Sequence, residues 1–203
     1  MKKLLYFSFT AVALLLSPAI SFAQETGKAA PGFTLNDSNG KSHSLSDLKG
    51  KFVVLEWINP GCPFVKKHYE SNNMQELQKK YTDKGVVWLT VNSSAAGKQG
   101  HLTAEDANKE IKAKNAHMTA LLLDHDGKVG KAYNAKTTPH MYVINAEGVL
   151  VYAGAIDDNN SSDKEDAKTA KNYVAAALDQ AMAGKPVETA STDAYGCGIK
   201  YAS

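Results

Sequence analysis

The stretch Phe52-Val53-Val54-Leu55-Glu56-Trp57-Ile58-Asn59-Pro60-Gly61-Cys62-Pro63-Phe64-Val65-Lys66-Lys67-His68-Tyr69 decides the fold of this 203-residue chain. Its first six residues form a nearly continuous apolar and β-branched run, the pattern of a central strand buried on both faces. Asn59-Pro60-Gly61 ends the run. From Cys62 the period becomes helical: Phe64, Val65, His68, Tyr69, Met74, Leu77 and Tyr81 recur at helical intervals, and the fixed φ and missing N–H of Pro63 suit a first turn. The spacing predicts one helix that starts at Cys62 and stops at Gly85.

Outward from this unit, Val86-Val87-Trp88-Leu89-Thr90-Val91 reads as a second buried strand, and a strand–helix–strand order calls for parallel pairing. Residues 31–35 and 43–45 flank Asn36-Asp37-Ser38-Asn39-Gly40 and read as a short hairpin. A loop over residues 92–100 leads to a polar helix capped by Thr103, with Asp106 three residues on, that ends near His117. Leu121-Leu122-Leu123 is a further strand, Asp126-Gly127 a turn and residues 129–133 a short helical piece. Met141-Tyr142-Val143-Ile144 and Val149-Leu150-Val151-Tyr152 flank Asn145-Ala146-Glu147-Gly148 as an antiparallel hairpin, which makes the sheet mixed. Residues 157–168 are polar and read as a surface loop. Residues 173–182 form a last amphipathic helix with Gly184 as its stop, and an irregular tail follows Pro186. The expected class is α/β: a three-layer fold with a mixed central sheet flanked by helices, an N-terminal hairpin extension and a C-terminal tail.

Lys2-Lys3, the apolar residues 4–16 and Ser21-Phe22-Ala23 have the order of a cleavable signal peptide, with cleavage near Ala23 and a mature chain beginning near Gln24. A periplasmic or secreted protein without a membrane anchor is expected. Removal of residues 1–23 leaves 203 − 23 = 180 residues, enough for one domain with its own core. The division is a signal peptide over 1–23, a domain over 24–185 and a tail over 186–203. The formal charge of +2 loses Lys2 and Lys3, giving 2 − 2 = 0, which points to neither nucleic acid nor an anionic membrane as partner. All 23 basic residues are Lys.

The chain has 2 cysteines, Cys62 and Cys197, in a compartment where disulfides persist, and a domain of this size needs none to fold. Cys62 falls where a buried strand gives way to a helix. The free N–H groups and dipole of a helix N-terminus favour a thiolate there, which turns a packing residue into a nucleophile. The alternative is an inert half-buried thiol. Glu56, six residues before Cys62 in an apolar strand, reads either as a buried carboxylate that accepts a proton beneath the thiol or as an edge-exposed side chain. Trp57 and Trp88 read as core, and Asp124-His125-Asp126 reads as a turn. Cys62, His68, His140 and Cys197 have no compact metal-ligand spacing, so no metal or other cofactor is expected.

The segments around Cys62-Pro63-Phe64-Val65, Thr138-Pro139-His140 and Gly196-Cys197-Gly198-Ile199-Lys200 resemble the redoxin group of thioredoxin-like proteins, the group of alkyl hydroperoxide reductases and thiol-specific antioxidants. The resemblance runs from about Pro31 to Tyr201. It implies a thioredoxin-like fold and an oxidoreductase acting on a thiol or disulfide of an exported protein or on a small thiol, with a membrane partner as reductant. It places Cys62 as the reactive thiol and Pro63 in its first turn. Thr138-Pro139 resembles the cis-proline element that faces the reactive cysteine, an ordinary trans turn being the alternative. His140 either polarises the thiol or is structural.

The departures bear on the chemistry. Val65 stands where a thioredoxin-type site has its second cysteine, so no local dithiol forms. Asn59 and Leu55 stand where a peroxiredoxin pattern has Thr or Ser and Pro, and the chain has no Arg to hold a peroxide. Cys197 then becomes the resolving partner that the resemblance implies, with Gly196 and Gly198 keeping it accessible and mobile. Three readings stay open for the two thiols: a redox-active pair, a structural clip, or two unpaired groups. A thiol peroxidase, or a non-catalytic binding or copper-handling protein with a structural Cys62–Cys197 disulfide, are the alternative functions.

Overall fold

The computed structural model describes residues 25–202. The expected signal peptide lies outside the described residues. A five-stranded sheet with order β5-β4-β3-β7-β8 forms the centre. It comprises β3 (Val53–Trp57), β4 (Val87–Asn92), β5 (Ala120–Leu123), β7 (His140–Ile144) and β8 (Leu150–Gly154). β3 runs parallel to β4, and β4 to β5, as crossover connections require, whereas β7 lies antiparallel to both β3 and β8. The expected α/β class and mixed sheet are present.

β3 is buried along its whole length, and its pleat sends alternate residues into two cores. Val54 and Ile58 join the core built with α1 (Pro63–Glu70), α2 (Asn73–Thr82), α3 (Ala104–Ala113) and α5 (Tyr173–Met182). Val53, Leu55 and Trp57 join the opposite core, closed by Tyr133, Phe33 and the short α4 (Lys128–Ala132). These are the three layers. The N-terminal hairpin pairs β1 (Thr34–Asn36) with β2 (Ser42–Ser44), and its turn bonds to edge strand β5 through Ser38 N–H and Leu121 C=O at 3.0 Å. The tail covers the other edge: Ala153 N–H donates to Ala190 and Thr192 N–H to Ala153, each at 3.1 Å. Both sheet edges are thus shielded from pairing with other chains.

The structure differs from the sequence expectation in four places. The helix that begins after Cys62 is broken in two, because Asn72 takes a left-handed conformation with φ 64°; asparagine tolerates that region, and the apolar pattern runs on across the break. α3 ends at Ala113 rather than near His117, with Asn115 left-handed at φ 48°. Residues 157–168 are not wholly a surface loop: Asp157 is only 2% exposed. The tail is not irregular throughout, since β9 (Cys197–Gly198) pairs antiparallel with β6 (Thr137–Thr138).

Candidate active site

The loop ahead of Cys62 is braced by Asn59. Its side-chain oxygen accepts the Gly61 N–H at 2.9 Å, its carbonyl accepts the Cys62 N–H at 2.9 Å, and its amide donates to Gln99 Oε1 at 2.7 Å. Gly100, at φ +85°, lets its own backbone close over the Asn59 side chain, where any Cβ would collide. This brace was not legible beforehand: Asn-Pro-Gly reads only as a strand terminator, and Gln99 lies forty residues away. It delivers Cys62 to the N-cap of α1 with φ −76° and ψ 126°, and Pro63 occupies the first helical position as the sequence suggests.

Cys62 is fully buried, and Cys197 is half-buried. The Cys62 thiol donates to the Thr138 carbonyl at 3.0 Å. The same Thr138 is the register partner of Cys197, and its hydroxyl donates to the Cys197 carbonyl at 3.3 Å. Beyond it, Ile199 N–H donates to Lys136 C=O at 3.0 Å. The Thr138–Pro139 peptide is cis. Gly196, at φ +129°, makes the approach feasible, because a Cβ there would run into the Thr138 carbonyl oxygen. Close approach, rather than the mobility expected from the sequence, is what this glycine supplies.

The two sulfurs differ electrostatically. Burial pushes the Cys62 thiol up, but hydrogen bonds from the Cys197 thiol, from the backbone N–H groups of Val65 and Cys197 and from Thr138 outweigh it, and the net shift is downward. Cys197 is pushed up to about 11 by burial and then by the hydrogen bond and charge of Cys62. The arrangement sets a thiol whose pKa is lowered beside a second thiol whose pKa is raised, the pairing of properties that thiol–disulfide exchange uses.

Glu56 is fully buried, not edge-exposed. Tyr69 donates to Oε1 at 2.8 Å, and Trp88, Thr90 and Gln78 donate to Oε2 at 2.7, 3.0 and 3.1 Å. Burial raises its pKa despite the four donors. Its hydrogen-bond partners lie in the strand–helix core and do not include Cys62. His140 stacks on Tyr142 with centroids 4.6 Å apart, and its Nδ1 accepts the Lys136 N–H at 3.3 Å. Burial, then the neighbouring Lys136, lowers it to about 4, so it is neutral at physiological pH. His68 bonds to Asn73 and Tyr195 rather than to Cys62. Among the described residues, no cluster of three metal-capable side chains forms. Asp124 closes its turn by accepting the Gly130 and Val129 N–H groups.

The Redoxin family model matches residues 25–171, most of the chain. The thiol-disulfide oxidoreductase ResA of Bacillus subtilis is 32% identical over 127 residues, an alignment that spans 62% of this chain and 64% of that protein's length. Among solved structures, an uncharacterized conserved protein from Geobacillus kaustophilus superposes with a TM-score of 0.77 at 30% identity, covering 88% of this chain and 93% of that one. The thioredoxin domain of a thiol-disulfide oxidoreductase from Bacteroides vulgatus superposes with a TM-score of 0.51 at 26% identity, covering 71% and 96% of the two chains. With its thioredoxin-like sheet, its cysteine at a helix N-cap and a family match over most of its length, the chain belongs to the Redoxin family.

Proposed function

We propose that this protein is an exported thiol–disulfide oxidoreductase in which Cys62 is the attacking thiolate and Cys197 the resolving thiol. The observation that carries the reading is the placement of both sulfurs about Thr138, whose carbonyl accepts the Cys62 thiol while its backbone pairs with Cys197. The relatives named thiol-disulfide oxidoreductase support the same chemistry. The Cys62 thiolate attacks a substrate disulfide, forming a mixed disulfide and expelling one substrate thiolate. Cys197 loses its proton and attacks Cys62 Sγ, the second substrate thiolate leaves, and the Cys62–Cys197 disulfide remains. Two electrons have passed to the substrate, and a reduced thiol donor, on a membrane partner or a small thiol, returns them. Cys62 is covered by the tail, so a substrate reaches it when β9 lifts from β6 and bares Thr138 and Pro139 beside the thiol; the signal-like residues 1–23 support export to the periplasm or beyond.

The test is to measure the reduction potential of the pair and to trap its intermediate. A potential between about −270 and −120 mV fits exchange, whereas one below about −300 mV marks a structural clip. Cys197→Ser incubated with a peptide disulfide should accumulate a Cys62 mixed disulfide visible by mass spectrometry. If the two sulfurs of the native chain never pair, the proposal fails. Export predicts that the mature protein begins at Gln24.

A further inference from the structure

A buried polar cluster lies under the tail, and the redox chemistry described so far does not use it. Lys67 and His68, in the second half of α1, are 1% and 0% exposed, and Asp157, just beyond β8, is 2% exposed. Burying such groups is costly unless they satisfy one another. Here they converge on one side chain of the tail, Tyr195. Asn73 donates its amide to His68 Nδ1 at 2.9 Å, which leaves the proton of the neutral ring on Nε2, 3.2 Å from the Tyr195 oxygen. The Tyr195 hydroxyl accepts from His68 and donates to Asp157 Oδ1. Lys67 Nζ stands 3.5 Å from Asp157 Oδ2 and 5.5 Å from the centre of the Tyr195 ring, and it donates to the Asn159 carbonyl at 2.6 Å. Phe64, two residues after Cys62, meets the same ring edge-on at 5.7 Å.

Tyr195 precedes Cys197 by two residues, and its seat is on the helix that carries Cys62 at its N-cap. The other side of Cys197 is anchored as well: Tyr201 donates to the Ala135 carbonyl at 2.7 Å, and its ring fills the space that a Cβ would need at Gly127 or Gly130. The tail thiol is therefore suspended between two aromatic anchors, of which Tyr195 is tied to α1 itself. A thiol held this way attacks as an intramolecular group whose effective concentration depends on how firmly the anchor is held.

We propose that Tyr195, seated on the buried Lys67–Asp157–His68 cluster, is a positioning residue that fixes the effective concentration of the Cys197 thiol at Cys62 and so sets the reduction potential of the pair. The inference rests on the reading that Cys62 and Cys197 form a redox pair. With glutathione disulfide as oxidant, the Cys62 thiolate attacks one sulfur and releases one glutathione thiolate. Cys197, giving up its proton, then attacks Cys62 Sγ, the bond to the second glutathione breaks, and both glutathiones leave reduced by the two electrons of the protein. Only the second step depends on Tyr195.

The experiment equilibrates the full mature chain in glutathione buffers of graded ratio and measures the oxidation constant of the pair for wild type, Tyr195→Phe and Asp157→Asn. Tyr195→Phe keeps the ring against Phe64 and Lys67 while removing both hydrogen bonds. Asp157→Asn keeps the shape of the seat and removes its charge, and it carries the test if the first variant folds poorly. Both should lower the constant about tenfold or more, a rise of about 30 mV in potential per tenfold, with mixed disulfide to glutathione accumulating on Cys62. A tyrosine that merely stabilises the fold would lower the unfolding midpoints of oxidised and reduced protein alike and leave the constant unmoved. Constants within about twofold of wild type in both variants would overturn the positioning role. A wild-type chain that forms no Cys62–Cys197 disulfide at any ratio would instead overturn the redox-pair reading beneath it.

Discussion

Cys197 sits opposite Thr138 in an antiparallel pair two residues long. An exposed strand edge offers its N–H and C=O groups to an incoming chain; at β6 the protein's own tail takes them. Thr138 thereby serves both sulfurs, its carbonyl accepting the Cys62 thiol at 3.0 Å and its hydroxyl donating to the Cys197 carbonyl at 3.3 Å. A cysteine distant in sequence thus lies near Cys62, where the local position Val65 carries no thiol.

The opposite shifts of the two thiols predict selective alkylation. Cys62 is held below its ordinary range although burial opposes this, whereas Cys197 is pushed up to about 11. Iodoacetamide added to the reduced protein at pH 7, which reaches the buried Cys62 when the tail lifts from β6, should label Cys62 ahead of Cys197, as peptide mass spectrometry reads directly. Cys197→Ala removes the largest of the hydrogen bonds that favour the thiolate, so the alkylation profile of Cys62 should move to higher pH. An unmoved profile would mean that the helix N-terminus alone lowers the thiol.

The two glycines that flank Cys197 should respond differently to alanine. Gly196→Ala forces a side chain onto a backbone at φ +129° and into the Thr138 carbonyl, a strain of about 1–3 kcal/mol that the tail relieves by leaving β6. Formation of the Cys62–Cys197 disulfide should slow about tenfold or more, since positioning is what makes the step fast. Gly198→Ala meets only the Lys136 carbonyl, at 4.0 Å, and should change neither the rate nor the unfolding midpoint appreciably. Stopped-flow oxidation and thermal unfolding of the two variants check this.

The contrast between these glycines shows where sequence reasoning stops. The apolar run of β3, the proline after Cys62 and the Asn-Asp-Ser-Asn-Gly turn are local signals, and they locate the central strand, the helix that follows Cys62 and the hairpin. The break at Asn72 left no signal, because Met74, Leu77 and Tyr81 continue the apolar period across it. Lys67, His68 and Asp157 are buried polar residues that all meet Tyr195, and Tyr195 is separated from His68 by 127 residues. A two-residue strand such as β9 is too short to show alternation. Pairing of the tail is therefore not legible from the sequence, although Gly196 and Gly198 flank Cys197 in plain view.

His140 predicts acid sensitivity. Its pKa is lowered to about 4 by burial and then by Lys136, below the ordinary value for a histidine. A histidine depressed in the folded state contributes stability that is fully present above about 6.5, the unfolded value, and is lost as pH falls toward the folded one. The size is on the order of 3 kcal/mol for a shift of this kind. His140→Gln should therefore be destabilised at pH 7 by its lost packing and hydrogen bond, and should then lose less stability than wild type between pH 7 and pH 4.5. Urea unfolding at the two pH values gives the comparison. Equal losses in both proteins would show that the ring titrates normally.

Glu56 predicts the opposite slope. Burial raises its pKa above the ordinary carboxylate value, although Trp88, Tyr69, Gln78 and Thr90 all donate to it and each draws it downward. A carboxyl raised in the folded state is penalised when it ionises, so its stability contribution is present below the unfolded value and declines as pH rises through the folded one. Glu56→Gln removes that decline but aims an amide N–H₂ at donors, leaving at least one of them unpaired at a cost of about 1–3 kcal/mol. The variant should be less stable than wild type at pH 4.5, and the gap should narrow at pH 8, where the wild-type charge carries its full burial penalty. Denaturant unfolding at the two pH values decides: a gap that widens with pH would mean that the four donors outweigh burial and hold Glu56 as a carboxylate.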